Sequence, residues 1–399
     1  MNNMICIAGK NNIAVEITQY LQTLGYTNIC VVPNSTDDGM DGFQRSFKKY
    51  ALQKNIPIKT LEEVYKIKNL IFLSLEFNKI VDPEMFLTKQ IYNIHFSLLP
   101  KYKGMYTSYW PIRNGEKTTG VTLHRIAKGI DTGDIIAQEE FEIRPFDTCK
   151  DVYLNYIKHG TVLVKRYLPK ILQNKIICKP QKSNESTYYG RNSVNYENIS
   201  IDLVDTANGI KNQIRALVFR EFQLPKINGK EVTHCLITSE VSREKPGTIL
   251  QEDHWFYKIA TIDYNLYVYK DAIEHILSLC QKENCKELQW FIDRSYDIND
   301  QNSKGWTPLI VASYHGQYEV VKRLIEHGAC ISKTNYKGTT PLMYAKDYAF
   351  STNDFKTAQL LFKCGASISQ KDYNDKSLKD YISEQYNNDK YNYFLEKLN

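Results

Sequence analysis

Asn93 and His95 stand two residues apart in the stretch Ile91-Tyr-Asn-Ile-His-Phe-Ser-Leu-Leu-Pro100. The run from Ile91 to His95 is apolar enough to read as a strand, and alternate side chains of a strand share one face. The two therefore project side by side. A side-chain amide can stabilise an oxygen that gains negative charge, and an imidazole can move a proton near neutral pH. That pairing suits chemistry on a carbonyl, although alone it equally fits a core histidine that is merely hydrogen-bonded. A second stretch, Thr119-Gly-Val-Thr-Leu-His through Ile130-Asp-Thr-Gly-Asp-Ile-Ile-Ala-Gln138, reads as strand, glycine-containing loop and strand. Asp131 lies in that loop, where a carboxylate could orient His95 and stabilise its protonated form. Taken by itself, Asp-Thr-Gly-Asp is ordinary turn sequence.

The elements that must position these residues alternate in type. Met4–Ala8 is a short apolar strand, and helical spacing then runs from Ile13 to Leu24 and stops at Gly25. Asn28–Val32 is a second strand, Phe43–Gln53 a short helix, and Asn69–Leu75 a strand buried on both faces. Beyond the candidate residues, Pro145 ends the last strand and Thr148–Leu172 shows a long helical pattern. This alternation predicts an α/β, doubly wound, mostly parallel sheet, with Asn93, His95 and Asp131 beyond the carboxyl ends of its strands. Gly9-Lys-Asn-Asn12 is a strand-to-helix turn, not a phosphate-cradling loop, which needs two glycines and a Lys-Ser/Thr pair.

After about residue 180 the composition turns polar, and Lys179–Gly190 reads as a linker. Ser200–Leu217 then reads as a short strand and a helix. Asn228-Gly229 is a hairpin signal, and alternation over Glu231–Glu240 and His254–Tyr269 completes a small β-rich module. His234, Asp253 and His254 match no established metal-ligand spacing, and no metal is expected. From about Asp271 the chain repeats: Thr307-Pro-Leu309 recurs as Thr340-Pro-Leu342, and Gly305 as Gly338, a period of 33 residues. Period and motif resemble ankyrin repeats, with three to four units and a polar cap from Tyr373. The expected division is 1–180, 190–266 and 270–399. Trp306 falls on an exposed hairpin arm, which marks a candidate ligand or partner surface on the repeats; the alternative is a tail that only stabilises.

Composition narrows the class. A chain of 399 residues suggests two or three domains, and a net charge of +6 does not suit a dedicated nucleic-acid binder. Nine cysteines without CxxC spacing predict reduced thiols in a cytoplasmic protein. Neither a signal pattern nor a run of membrane-spanning length is found.

Taken together, Asn93-x-His-x-Ser-Leu-Leu-Pro-x-Tyr-x-Gly104, Trp110, Asn114-Gly-Glu116, Thr119-Gly-Val-Thr-Leu-His124 and Ile130-Asp-Thr-Gly-Asp-Ile-Ile136 resemble the N10-formyltetrahydrofolate-dependent formyltransferases over roughly residues 1–180. The resemblance implies formyl transfer to a primary amine without a metal, with Asn93 on the oxyanion, His95 moving the proton and Asp131 supporting the imidazole. It also implies a pterin held largely by backbone at Leu75, Phe77, Ile126, Ala127 and Gly129. Tyr188-Tyr-Gly-Arg191 and Ile214–Pro225 resemble the second domain of dTDP-amino-sugar N-formyltransferases. The repeats are similar to the tail of those that formylate dTDP-3-amino-3,6-dideoxyglucose for surface polysaccharide such as O-antigen. On that resemblance Lys10, Phe96, Ser97, Met105 and Tyr106 face the sugar nucleotide, and Phe219 or Phe222 stacks on thymine unless it belongs to the core. Homodimerisation through the middle module is implied as well. The position of the amine and the sugar stereochemistry stay open. An ankyrin interaction protein with an inactive catalytic domain is the reading from a different class, and the complete Asn93, His95, Asp131 set argues against it.

Overall fold

The computed structural model describes residues 3–197, 199–386 and 388–398. The chain forms two compact units: one runs to Lys270, apart from Asp41–Phe43, and the other starts at Asp271.

In the first unit, strands β1 (Met4–Gly9), β2 (Ile29–Pro33), β3 (Leu70–Leu75) and β4 (Ile91–His95) are parallel, in the order β2-β1-β3-β4. After a two-residue strand β5 (Lys103–Gly104), β6 (Thr118–Arg125) extends the sheet antiparallel to β4, and β7 (Ile135–Glu142) pairs antiparallel with β6. The sheet is therefore mixed, not mostly parallel. Its last two strands are a hairpin, which needs no crossover helix. Helices α1 (Asn11–Thr23), α2 (Phe47–Gln53), α3 (Leu61–Tyr65), α4 (Trp110–Arg113) and α5 (Cys149–Leu172) accompany it. The second of these starts four residues later than its pattern suggests, because Ser46 caps it by accepting from Lys49 N. Thr148 and Asp151 form a reciprocal capping box that starts α5 where the periodicity begins.

Two apolar layers sandwich the sheet. Ile5, Ile7, Ile71, Leu73, Tyr92 and Ile94 pack with residues of α1 and α5, while Cys6, Ala8, Phe72 and Ile91 pack with Leu61, Val64 and Phe86. Each such aliphatic side chain contributes about 1.5–3 kcal/mol on burial. Ile91, Asn93 and His95 lie on the second face, so the strand changes from core to chemistry along one row.

The expected linker is structured. Lys179 exchanges two backbone hydrogen bonds with Ile135, both 2.8 Å, and β8 (Tyr188–Tyr189) pairs with β5. Its polar residues are taken up by the loops they cross. Helix α6 (Ala207–Leu217) follows; the short strand expected from Ser200 does not form among the described residues, where the side chains of Gln213 and Asp202 accept from Asp202 N and Val204 N. A five-stranded antiparallel sheet comes next: β9 (Lys226–Ile227), β10 (Lys230–Val241), β11 (Ile249–Glu252), β12 (Phe256–Ile259) and β13 (Tyr264–Lys270). Asn228 and Gly229 make the hairpin turn with φ of 48° and 74°. Ile210 and Ile214 pack on Val232, Tyr257 and Val268 of this sheet.

The second unit is helical. Its helices are α7 (Ile273–Gln281), α8 (Cys285–Ile292), α9 (Pro308–Tyr314), α10 (Tyr318–Glu326), α11 (Pro341–Thr352), α12 (Lys356–Lys363), α13 (Leu378–Gln385) and α14 (Asn388–Leu398). Thr307 and Thr340 cap α9 and α11, and Pro308 and Pro341 occupy first-turn positions where no backbone N–H is needed. That is the physical content of the repeated Thr-Pro-Leu. The stretch after Tyr373, expected only as a polar cap, supplies α13 and α14.

Candidate active site

Strand register places Asn93 between Ser74 of β3 and His124 of β6. The imidazole of His124 is nearly fully buried, and its Nδ1 lies 2.7 Å from the carbonyl oxygen of Arg125. A carbonyl only accepts, so Nδ1 carries the hydrogen. Burial pushes the His124 imidazole down to about 4, against the pull of the Asp131 charge, so the ring is neutral and Nε2 is an acceptor. The Asn93 Nδ2 donates to it at 3.0 Å. That contact orients the amide, and its second N–H meets no acceptor among the described residues. An amide held this way is a preorganised donor.

His95, the last residue of β4, is oriented by the same logic. Its Nε2 donates to the carbonyl of Tyr102 at 2.8 Å, so the proton it gains or loses sits on Nδ1. Asp131 Oδ2 lies 3.4 Å from that Nδ1, and Oδ1 lies 3.7 Å from His124 Nε2. β6 ends opposite Tyr92, so its loop must double back to bring Asp131 to His95. Asp131 thus reaches the site from the loop between β6 and β7, beside His95 at the carboxyl end of β4. The fold-back requires a left-handed backbone at Asp131 (φ 52°) and leaves no room at Gly133, where a Cβ would lie 1.8 Å from the Arg125 carbonyl. Gly104 completes the arrangement. Its N–H donates to Asp131 Oδ2 at 2.9 Å, its φ is 90°, and a Cβ there would meet the Tyr189 carbonyl at 2.3 Å.

The Ser-Leu-Leu-Pro segment is held from below. Thr122 Oγ1 donates to Ser97 O at 2.6 Å and accepts from Leu99 N and Gln138 Nε2. Tyr102 presents its carbonyl from a left-handed conformation (φ 57°); its hydroxyl donates to Glu116 and its ring stacks on Tyr189, which stacks in turn on Trp110. Glu116 and Trp110 thereby act on His95 through Tyr102.

The remaining expected residues divide. Leu75 is buried, while Phe77 and Ile126 pack as partly buried residues on one apolar cluster, and Ala127 and Gly129 are exposed. An apolar edge beside an open stretch of backbone fits a flat heteroaromatic ring. Lys10 is half-buried beside Asn11 and Glu76 at the ends of β1 and β3, where the strand order reverses. Burial holds the Glu76 carboxyl above its usual range against the Lys10 charge, and Tyr153 and Asn11 donate to it. Met105 is exposed, and Tyr106 donates its hydroxyl to Arg191 O.

Three side chains are corrected. The Ser97 hydroxyl is buried and donates to Lys101 O, so it braces its own loop. Phe96 stacks on Tyr156 within the core. Phe219 is buried against Tyr153, which leaves Phe222, 64% exposed, as the aromatic that can stack on a base. Trp306 is half-buried, with ring contacts to Tyr314 and Tyr344, so packing accounts for much of its surface. Sequence reasoning missed His124, Thr122 and Gly104 as parts of the machinery. Alternation puts Thr122 and His124 on one face, but only register shows that this face meets Asn93.

Comparison with known proteins identifies two families along the chain. A formyl transferase family model matches residues 2–166, and a model of three ankyrin repeats matches residues 276–372. WlaRD, a sugar 3N-formyl transferase solved in the presence of dTDP and 5-N-formyl-THF, is 41% identical, with a TM-score of 0.64 over 68% of this chain and 98% of that one. The Helicobacter canadensis N-formyltransferase in complex with folinic acid and dTDP-3-aminofucose is 40% identical, with a TM-score of 0.64 over 67% of this chain and 100% of that one. The bifunctional polymyxin resistance protein ArnA of Wigglesworthia glossinidia brevipalpis is 34% identical over 206 residues, 49% of this chain and 31% of that protein's length. The methionyl-tRNA formyltransferase of Caldanaerobacter subterraneus subsp. tengcongensis is 30% identical over 270 residues, 62% of this chain and 85% of that protein. With the site geometry and near-complete overlap at about 40% identity, the chain belongs to the formyl transferase family.

Proposed function

We propose that this protein transfers the formyl group of N10-formyltetrahydrofolate to the amino group of a dTDP-linked amino-dideoxy sugar, with dTDP-3-amino-3,6-dideoxy-D-glucose as the best fit. The observation that carries the reading is the 41% and 40% identity to two sugar N-formyltransferases across 98% and 100% of their chains. Bound folate supplies an activated formyl group; the chain supplies its positioning and the proton inventory. The free N–H of Asn93 donates to the formyl oxygen as negative charge develops there. His95 takes the proton that the attacking amine loses, at Nδ1, and Asp131 balances the imidazolium; as the tetrahedral adduct collapses the bond from the formyl carbon to N10 breaks, and that proton passes to N10 of the departing tetrahydrofolate. Phe77 and Ile126 form the apolar edge for the pterin, beside Leu75 and the backbone of Ala127 and Gly129. Lys10, Met105, Tyr106 and Phe222 face the sugar nucleotide. We further propose a cytoplasmic homodimer built through the β-rich module, serving O-antigen or related surface polysaccharide synthesis, with the ankyrin surface around Trp306 open to a ligand or protein.

The test is a panel. Purified protein is incubated with N10-formyltetrahydrofolate and dTDP-3-amino sugars, dTDP-4-amino sugars or initiator methionyl-tRNA, and products are identified by mass. Formylation of a 3-amino sugar is expected. Formylation confined to 4-amino sugars corrects the substrate, and formylation confined to the tRNA refutes the sugar reading.

A further inference from the structure

Gln181 lies in the segment that returns across the first unit after α5, two residues past the Lys179–Ile135 backbone pair. Its side-chain amide reaches the loop that carries Asp131. Nε2 donates to the carbonyl of Asp131 at 2.8 Å and to the carbonyl of Gly133 at 2.7 Å, so both of its hydrogens are used on that loop. The other end of the amide, Oε1, is buried and finds no donor among the described residues. A buried acceptor left unpaired is unfavourable, and turning the amide over would pair no more atoms while setting oxygen against two carbonyls. The arrangement makes sense as one that places two N–H groups on the loop at the cost of an orphaned oxygen. The bracketed peptides are those that need help. Asp131 is left-handed, and Gly133 sits where no Cβ fits against Arg125. The same returning segment holds the other half of the site. Thr187 Oγ1 accepts from Tyr102 N at 2.7 Å, and Tyr102 O accepts from His95 Nε2.

We propose that Gln181 is a positioning residue for formyl transfer: by clamping the carbonyls on both sides of Thr132, it sets the Asp131 carboxylate against His95. The inference rests on the reading of Asp131 as the partner of His95. Gln181 touches no substrate in this account and acts through Asp131, so its removal lowers kcat and leaves the KM for the sugar nucleotide unchanged.

The experiment compares wild type, Gln181→Ala, Gln181→Glu, Asp131→Asn and the double variant Gln181→Ala/Asp131→Asn in steady-state formyl transfer, with thermal midpoints alongside. Gln181→Glu is isosteric and keeps the packing, so it serves if the alanine variant does not fold. Either Gln181 variant is expected to lower kcat by about 10- to 100-fold, the effect of a misplaced catalytic group, with the sugar-nucleotide KM within about twofold. In the Asp131→Asn background the further loss is expected to be less than about twofold, because both changes act on one contact. A Gln181→Glu enzyme with wild-type kcat overturns the proposal. So does a loss that repeats in full on top of Asp131→Asn, which would mark a general structural role. Absence of turnover by wild type, or full turnover by Asp131→Asn, would instead refute the underlying reading of the site.

Discussion

His124 offers a prediction whose size follows from the structure. Its ring is neutral in the folded protein, held down to about 4 chiefly by burial, whereas an exposed histidine titrates near 6.5. As pH falls through about 6.5, the unfolded chain gains a proton that the folded chain takes up only near 4. The unfolded state then binds more protons, so stability is unaffected above about pH 7 and declines between there and pH 4. At pH 5 the loss is about 2 kcal/mol relative to pH 7.5. His124→Gln removes the titration but keeps a side-chain oxygen that can accept from Asn93. The assay is hydrogen exchange of amides in β4 and β6, corrected for intrinsic rates, at pH 7.5 and 5.0 in both proteins. Wild type should lose about 2 kcal/mol more than the variant between the two pH values. Glu76, whose carboxyl is raised by burial, acts in the opposite direction but equally in both proteins, and cancels. Equal losses would refute the reasoning. His124 would then take up its proton freely, and the assignment of Nε2 as the acceptor for Asn93 would fail with it.

Three further outcomes follow from the same geometry. Asn93→Ala removes the free donor and should lower kcat by about 10²- to 10³-fold, while the loss of the donor to the buried His124 Nε2 costs about 1–3 kcal/mol of stability; a loss of kcat under tenfold in steady-state assays would count against an oxyanion role. Gly133→Ala forces a Cβ to within 1.8 Å of the Arg125 carbonyl and must displace the Asp131 loop, so activity should fall at least about 100-fold while circular dichroism is retained. Normal turnover there would mean the loop tolerates displacement. Thr122→Val takes away three buried hydrogen bonds to Ser97, Leu99 and Gln138 and should cost about 2–4 kcal/mol in urea unfolding, a value that an unchanged midpoint would contradict.

Much of the site was legible because it obeys short-range rules. Two-residue spacing put Asn93 and His95 on one face, and Thr148 signalled the start of α5. The recurring Thr-Pro-Leu marked capped helices 33 residues apart. What was not legible depends on pairing between distant segments. Nothing in residues 119–138 says that their hairpin joins β4 antiparallel, and this is what makes the sheet mixed and brings His124 to Asn93. The polar stretch after Lys179 has linker composition because its side chains serve the loops of the site: Gln181 and Thr187 look like solvent-facing residues until their partners are seen. Burial likewise separated Phe219 from Phe222, which spacing alone could not do.

The central claim is that Asn93, His95 and Asp131 transfer a formyl group, with the proton passing through His95. The most direct test is release of tetrahydrofolate from N10-formyltetrahydrofolate in the presence of the preferred amino sugar nucleotide, comparing wild type with His95→Asn. Wild type should release tetrahydrofolate steadily, matched mole for mole by formylated sugar, and the variant should be slower by about 10²- to 10⁴-fold with its thermal midpoint preserved. A folded His95→Asn enzyme that turns over at the wild-type rate would contradict it.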